Sequence, residues 1–211
     1  MQKIILIGAG GHCKSCIDVI ESENKYMINS ILDREELVGE KVLNYRVTGT
    51  DELIHEFSSE YSFLITVGQI LSPSIRIKLY SLVQHANGKL ITAVSPSAHL
   101  SKYASLGAGT IVMHNAVINS DVKVGENCII NTLSNLEHDV VVGNHCHIST
   151  GAILNGGVNI GDNCFVGSGS IIAQNVYIAA NTIIGAGSVV LRSIRQPGVY
   201  VGNPAKFFRN I

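Results

Sequence analysis

Residues 128–166 read CIINTLSNLEHDVVVGNHCHISTGAILNGGVNIGDNCFV, and the stretch counts in sixes. An aliphatic residue returns at Ile130, Leu136, Val142, Ile148, Leu154 and Ile160, and four residues after each stands a small or β-branched one, as at Ser134, Val140, Cys146 and Ala152. Followed outward, the first column holds without a miss from Val94 to Val190 and the second from Ala98 to Ile194. Two inward columns with one period imply one repeating wall. Six residues are too few for a helical solenoid unit, and the glycines, asparagines and β-branched residues favour short strands joined by turns. The expected architecture is a parallel β-helix.

The pattern resembles the left-handed hexapeptide-repeat family, in which three hexads close one triangular coil and positions 18 apart stack directly. The left hand is implied by that resemblance, because parallel crossovers are otherwise right-handed. Cys128, Cys146 and Cys164 then lie one above another in the inward column, about 4.8 Å apart. In a cytosolic chain they read as small buried hydrophobes rather than a bridge or metal site.

The 211 residues hold 46% hydrophobic side chains, no Trp and a formal net charge of -1. That balance, without a basic run, leaves no electrostatic footprint for nucleic acid. The apolar run Ile4 to Ile7 stops at Gly8, far short of a signal segment or a membrane span. The expectation is a cytoplasmic protein with no membrane contact.

Ahead of the repeat, Lys3 to Gly8 is an apolar run closed by Gly8-Ala9-Gly10-Gly11-His12, and Cys13 to Ser22 has helical spacing. Strand, glycine turn and helix make a βα unit whose helix N-terminus accepts an anion. A second strand, Ile28 to Leu32, ends at Asp33, where an acidic side chain meets a ribose or base in such folds. The fingerprint is incomplete, G-x-G-x-x-C, with Cys13 where a third glycine allows close packing, which argues against a nicotinamide cofactor. Gly39 to Thr50 reads as turn-rich, Asp51 to Phe57 as a short helix, Phe63 to Val67 as a third strand, and Ser74 to Gln84 as a helix. The expected division is a Rossmann-like α/β domain over 1–93 with a parallel sheet, a β-helix over 94–195 and a capping tail over 196–211. No hexad carries an insertion, so no long loop projects from the β-helix.

His99, His114, His138, His145 and His147 all avoid the inward columns, which puts them on the prism surface or at an interface. His138 sits in Glu137-His138-Asp139, and Gly156 stacks on it one coil later. A base near neutral pKa beside a backbone N–H that can approach a ligand, with a carboxylate to orient the ring, has the parts of an acyl-transfer site. A structural alternative leaves His138 hydrogen-bonded at a subunit interface. A second makes His145 and His147 zinc ligands, as in the γ-class carbonic anhydrases, but no third ligand accompanies them.

Both halves together resemble the sugar O- and N-acyltransferases of the sialic acid O-acetyltransferase group, and within it the bacterial UDP-4-amino-sugar N-acetyltransferases of bacillosamine biosynthesis. The motifs that carry the likeness are Gly8-Ala9-Gly10-Gly11-His12, Glu137-His138-Asp139 and Val201-Gly202-Asn203-Pro204-Ala205-Lys206. The resemblance implies a homotrimer that uses acetyl-CoA, with active sites between subunits and no metal. His138 becomes the general base toward the sugar amine, and Asp139 its orienting acid. His147 and the Gly156 N–H attend the thioester end, and Ser168 and Ala186 contact acetyl-CoA further along the same groove. Gly10, Gly11 and His12 hold the nucleotide-sugar phosphates, Asp33 and Arg34 lie beside uracil and ribose, and Gly68 is a third contact. Arg34 departs from the bacillosamine enzyme, which is acidic at that position. Sugar O-acetylation, acetylation of a GDP-linked amino sugar, and a non-catalytic nucleotide-sugar sensor are the competing functions.

Overall fold

The computed structural model describes residues 1–211. The N-terminal unit runs β1 (Gln2–Ile7), α1 (Gly11–Glu23), β2 (Tyr26–Leu32), β3 (Lys41–Val42), β4 (Tyr45–Gly49), α2 (Ile54–Phe57), β5 (Ser62–Ile65), α3 (Ser74–His85) and β6 (Lys89–Leu90). Its six-stranded sheet has the order β3-β4-β2-β1-β5-β6. All pairs are parallel except β3 with β4, where Val42 faces Tyr45 across a two-residue turn. That hairpin corrects the turn-rich reading of Gly39 to Thr50. Its strands are short and its turn places Leu43 at φ 54, so it carries none of the Asn-Gly chemistry that marks such turns.

The central strands are buried on both faces. Ile5, Ile7, Phe63 and Ile65 pack against Ile54, Leu79 and Val83 of α2 and α3. Ile4, Leu6 and Leu64 pack against Cys16, Ile17 and Ile20 of α1 and, beyond them, against Ile111 and Ile129 of the β-helix. The β-helix therefore completes the layer that α1 begins, and one hydrophobic cluster crosses the boundary between the two units.

From Ala93 the chain winds as a left-handed parallel β-helix with three faces. The first face holds Ala93–Val94, Ile111–Val112, Ile129–Ile130, His147–Ile148, Phe165–Val166 and Thr182–Ile184. The second runs from His99–Leu100 to Val189–Val190, and the third from Ser105–Leu106 to Tyr177–Ile178. Every pairing within a face joins residues 18 apart, as Ile130 with Ile148 and Leu136 with Leu154. The core of the prism is made of the two columns read from the sequence, with residues from Val112 to Val190 and from Ala116 to Cys164 buried.

From Gly109 to Gly187 each corner turns on one residue with positive φ, recurring every six residues. Asn115, Asp121, Asn127, Leu133, Asp139 and His145 all lie between φ 52 and 61. Asn, Asp and Gly tolerate this conformation because a short polar side chain or none relieves the Cβ clash. Asp139 thus occupies a corner position where the backbone favours such residues.

The outward residues differ between faces. The first face is covered by the N-terminal unit, and Ile111, Ile129 and His147 on it are buried. The second carries His99, Val117, Asn135, Ile153, Ile171 and Val189 outward, and the third Ser105, Lys123, Val141, Asn159 and Tyr177. At the end, Gly198–Val201 adds in parallel to the first face, and Lys206–Arg209 returns antiparallel to it. Tyr200 and Ala205 pack against the prism core, while Phe207 and Phe208 stay exposed. No helix is long and apolar enough to cross a membrane.

Candidate active site

His138 follows the strand Asn135–Leu136 on the edge where the second face turns into the third. Asp139 is next in the chain, and its left-handed backbone turns the carboxylate back toward the ring. His138 Nδ1 lies 2.7 Å from Asp139 Oδ2. A carboxylate only accepts, so in the neutral ring Nδ1 carries the hydrogen and Nε2 is left as a free base. The two side chains are 61% and 63% exposed. The imidazole lies directly over Gly156. A Cβ at that position would stand 2.7 Å from both Cε1 and Nε2 of His138, so only glycine leaves room for the ring. Gly157 N–H donates to the His138 carbonyl at 3.0 Å, but the Gly156 N–H donates to no acceptor within the chain. A base and an unused backbone donor thus share one small patch, the pairing needed where a carbonyl oxygen gains charge.

Glu137 faces a different way. It accepts from Asn135 Nδ2 at 2.8 Å and from Asn119 Nδ2 at 2.9 Å, so Asp139 rather than Glu137 orients the imidazole.

His147 projects from the first face into the boundary with the N-terminal unit and is 6% exposed. Its Nδ1–H donates to the Gln69 carbonyl at 2.6 Å, and Asn131 Nδ2 donates to its Nε2 at 3.0 Å. Burial, with a smaller contribution from the nearby Arg76 cation, pushes its pKa down to about 4. His145 is tied by Asn127 Nδ2 at 3.0 Å. No group of three or more His, Cys, Asp or Glu side chains is arranged to hold a metal ion.

The clamp around these histidines is a set of residues that the sequence reading did not single out. Arg76 of α3 is 1% exposed and has no carboxylate partner. Its guanidinium donates to the carbonyls of Ile65 and Val67 at 2.9 and 2.7 Å, and to Asn127 Oδ1 at 2.6 Å. Burial draws its pKa down to about 10. Gln69 Nε2 adds a bond to the His145 carbonyl at 3.0 Å. These polar contacts fix the loop after β5 to the first face of the prism.

The N-terminal candidates meet in one cleft of about 590 Å³ at the C-terminal ends of the strands, lined by Gly10, Gly11, His12, Asp33, Arg34 and Gly68, with Asp51 and Lys78 beside them. Gly8 makes the turn possible. Its φ is +114, and a Cβ there would meet Val67 at 2.5 Å. The N–H groups of Gly10, Gly11 and His12 donate to nothing within the chain, as expected at a helix N-terminus. His12 Nε2 is buried without a partner. Burial above all, then the charge of Arg76, drops the His12 pKa to about 3, so its ring is neutral and offers the cleft no charge. Asp33 accepts the N–H groups of Ala9 and Arg34, the latter at 2.7 Å.

Ser168 and Ala186 are both exposed and stack on one edge, as their spacing of 18 requires. That edge lies between the first and second faces, whereas His138 and Gly156 stand between the second and third. Within one chain the two pairs are on opposite borders of the second face. The sequence held the signal, because 156 and 168 differ by 12 rather than by 18.

The comparisons with known proteins fit this two-part molecule. The family described as the PglD N-terminal domain matches residues 3–83, and the bacterial transferase hexapeptide family, six repeats, matches residues 157–192. PerB from Caulobacter crescentus, solved with CoA and GDP-perosamine, has a TM-score of 0.91 at 31% identity, covering 99% of this chain and 98% of that one. The chain belongs to the hexapeptide-repeat sugar acyltransferases. Within this family, the acetyltransferase domain of PglB from Neisseria gonorrhoeae FA1090 has a TM-score of 0.91 at 28% identity, covering 99% and 100% of the two chains. The same domain has also been solved with acetyl coenzyme A. UDP-N-acetylbacillosamine N-acetyltransferase of Bacillus subtilis (strain 168) is 32% identical over 116 residues, 54% of this chain. The matched stretch spans about half, 52%, of that relative.

Proposed function

We propose that the protein transfers the acetyl group of acetyl-CoA to the amino group of a nucleotide-linked 4-amino-4,6-dideoxy sugar, in a site that two copies of the chain complete. The observation that carries this reading is the His138–Asp139 pair laid over Gly156. The sugar nitrogen attacks the thioester carbonyl carbon while His138 Nε2 takes its proton. Asp139 stabilises the imidazolium that forms, and the free N–H of Gly156 faces the oxygen on which charge develops. The C–N bond forms, the C–S bond breaks, and CoA leaves as the thiolate, which regains a proton from the imidazolium. No side chain becomes acylated; Cys146 is buried inside the prism.

The direction of the donor follows from the stacking. His138, Gly156, Gln174 and Arg192 form one column on the prism edge, and three steps of about 4.8 Å make roughly 14 Å, the scale of an extended pantetheine arm. At the far end Arg192, Arg195 and Lys206 line a cavity of about 630 Å³, and three cations there suit the phosphates of CoA. Ser168 and Ala186 reach the same donor from a second copy. The second face, which separates the two edges and exposes Val117, Ile153, Ile171 and Val189, supports a homotrimer assembled through it.

The cleft of the N-terminal unit takes the nucleotide diphosphate. Free N–H groups at the start of α1 meet the phosphates, and neutral His12 with Gly68 borders the sugar. UDP follows the bacillosamine likeness, while the full-length similarity to PerB favours the GDP alternative.

A thiol-release assay with acetyl-CoA against UDP- and GDP-linked 4-amino sugars tests the reading. Thiol release with a nucleotide amino sugar is expected, falling about 10²-fold in His138→Ala. Release with free sialic acid alone, or with none of the nucleotide sugars, would overturn it.

A further inference from the structure

The carboxylate that such a fold ordinarily turns toward the nucleoside is already engaged here. Both oxygens of Asp33 accept backbone N–H groups, and its side chain is only 16% exposed. Asp51, just past the C-terminal end of β4, stands in the same cleft in a different state. Its Oδ2 accepts Lys78 Nζ at 3.1 Å, and its Oδ1 accepts nothing from the chain. Lys78 lies on α3 one turn from Ile75, which also lines the cleft and is 60% exposed, an apolar surface with no partner inside the chain.

An ammonium beside a carboxylate is an ordered row of one donor and two acceptors. We propose that Asp51 and Lys78 read the edge of the nucleobase and select guanine over uracil, with Ile75 against the face of the ring. The proposal rests on the reading of this cleft as the nucleotide site. Guanine presents, in order, the O6 acceptor, the N1–H donor and the N2–H donor, so Lys78 meets O6 and the two Asp51 oxygens meet the two N–H groups. Uracil presents O4, N3–H and O2. Its first two groups fit the row, but the third sets a carbonyl oxygen against a carboxylate oxygen. Cytosine fails at the first position, where its amino group would face the ammonium. The third position of the row therefore carries the discrimination between guanine and uracil. Lys78 contributes affinity for both bases and no preference, because each offers it an acceptor.

Direct binding of GDP and of UDP, without sugar or acetyl-CoA, to the full chain tests this by titration calorimetry. GDP is expected to bind at least about 10-fold more tightly than UDP, within the range that a mismatched polar edge produces in a half-exposed site. Asp51→Asn replaces the second acceptor with a donor, which turns the row into donor, acceptor, donor and matches uracil. In that variant the GDP preference is expected to vanish or reverse. Lys78→Met is expected to weaken both ligands by similar factors and keep their ratio. Equal or tighter binding of UDP by the unaltered protein would overturn the proposal, and so would a GDP preference that survives in Asp51→Asn. If neither diphosphate binds, the assignment of the cleft as the nucleotide site falls first, and the base selection falls with it.

Discussion

Gly156→Ala separates the chemistry from the fold more cleanly than removal of His138, the base proposed above. The glycine has an ordinary backbone conformation, and the three atoms nearest its added Cβ all belong to the imidazole of His138, at 2.7 Å for Cε1 and Nε2 and 3.3 Å for Nδ1. Normal contact between such atoms is about 3.5 Å or more, so the ring must withdraw by close to 1 Å. The His138 side chain is exposed and free to do so. The hydrogen bond to Asp139, now 2.7 Å, then stretches or breaks, and Nε2 moves away from Gly156. A displacement of that size at a reacting group costs about 10²-fold in rate. Stability moves the other way if it moves at all, because Ala at a compatible glycine position narrows the unfolded ensemble by roughly 0.4–1 kcal/mol. Thermal unfolding and steady-state thiol release on the same sample test both halves of the statement. A variant with unchanged melting and turnover within about twofold of the parent would show that the imidazole over Gly156 is not the working base. A variant that loses its fold would show instead that Gly156 is structural.

Two further outcomes follow from the placement of groups. If each site takes His138 from one copy and the Ala186 edge from another, His138→Ala and Ala186→Trp are each inactive alone, but co-expression restores about a quarter of parental activity, one half times one half for each random interface. No recovery in verified mixed assemblies would mean that one chain holds the whole site. The second outcome concerns acid. His12 and His147 titrate near 3 and 4 in the fold, against about 6.5 when unfolded, so the unfolded chain binds more protons between these values. Stability is therefore complete above about pH 6.5 and falls as pH drops toward 4, with a slope of up to about 1.4 kcal/mol per pH unit for each ring. Urea midpoints across pH 5 to 7, above most carboxylate titrations, measure this, and a flat profile would contradict two buried neutral histidines.

The prism was legible because its period is local. Each coil repeats the same choice of an aliphatic residue, a small residue and a turn, so the columns at Ile130 and Ser134 declare themselves without any knowledge of partners. The corner residues were legible in principle as well. Asn, Asp or Gly at every sixth place would have put Asp139 on a left-handed turn, and Leu133 and His145 are the breaks that hide the rule. The contact surface between the units was not legible. Arg76 meets Asn127 across 51 positions and His147 meets Gln69 across 78, and neither contact is implied by a helix period or a strand period. The environment of His12 and His147 belongs to that same boundary. Their proton affinity is set by burial under a neighbouring unit, which no count along the chain contains. The reverse holds for His138, whose partners are its sequence neighbour and the residue one coil away, both within reach of the repeat.

In the assembly proposed above, the separation of His138 from Ala186 by the full width of the second face also makes output a matter of amount. A lone chain would then carry His138 without its facing edge, and a partly apolar second face left uncovered. Dilution below the assembly constant would therefore remove sites rather than slow them, and specific activity would fall with protein concentration while the activity of each assembled particle stayed constant. A cell that makes little of this chain would hold almost none of its catalyst, and a small rise in synthesis near the threshold would return more than its share of turnover.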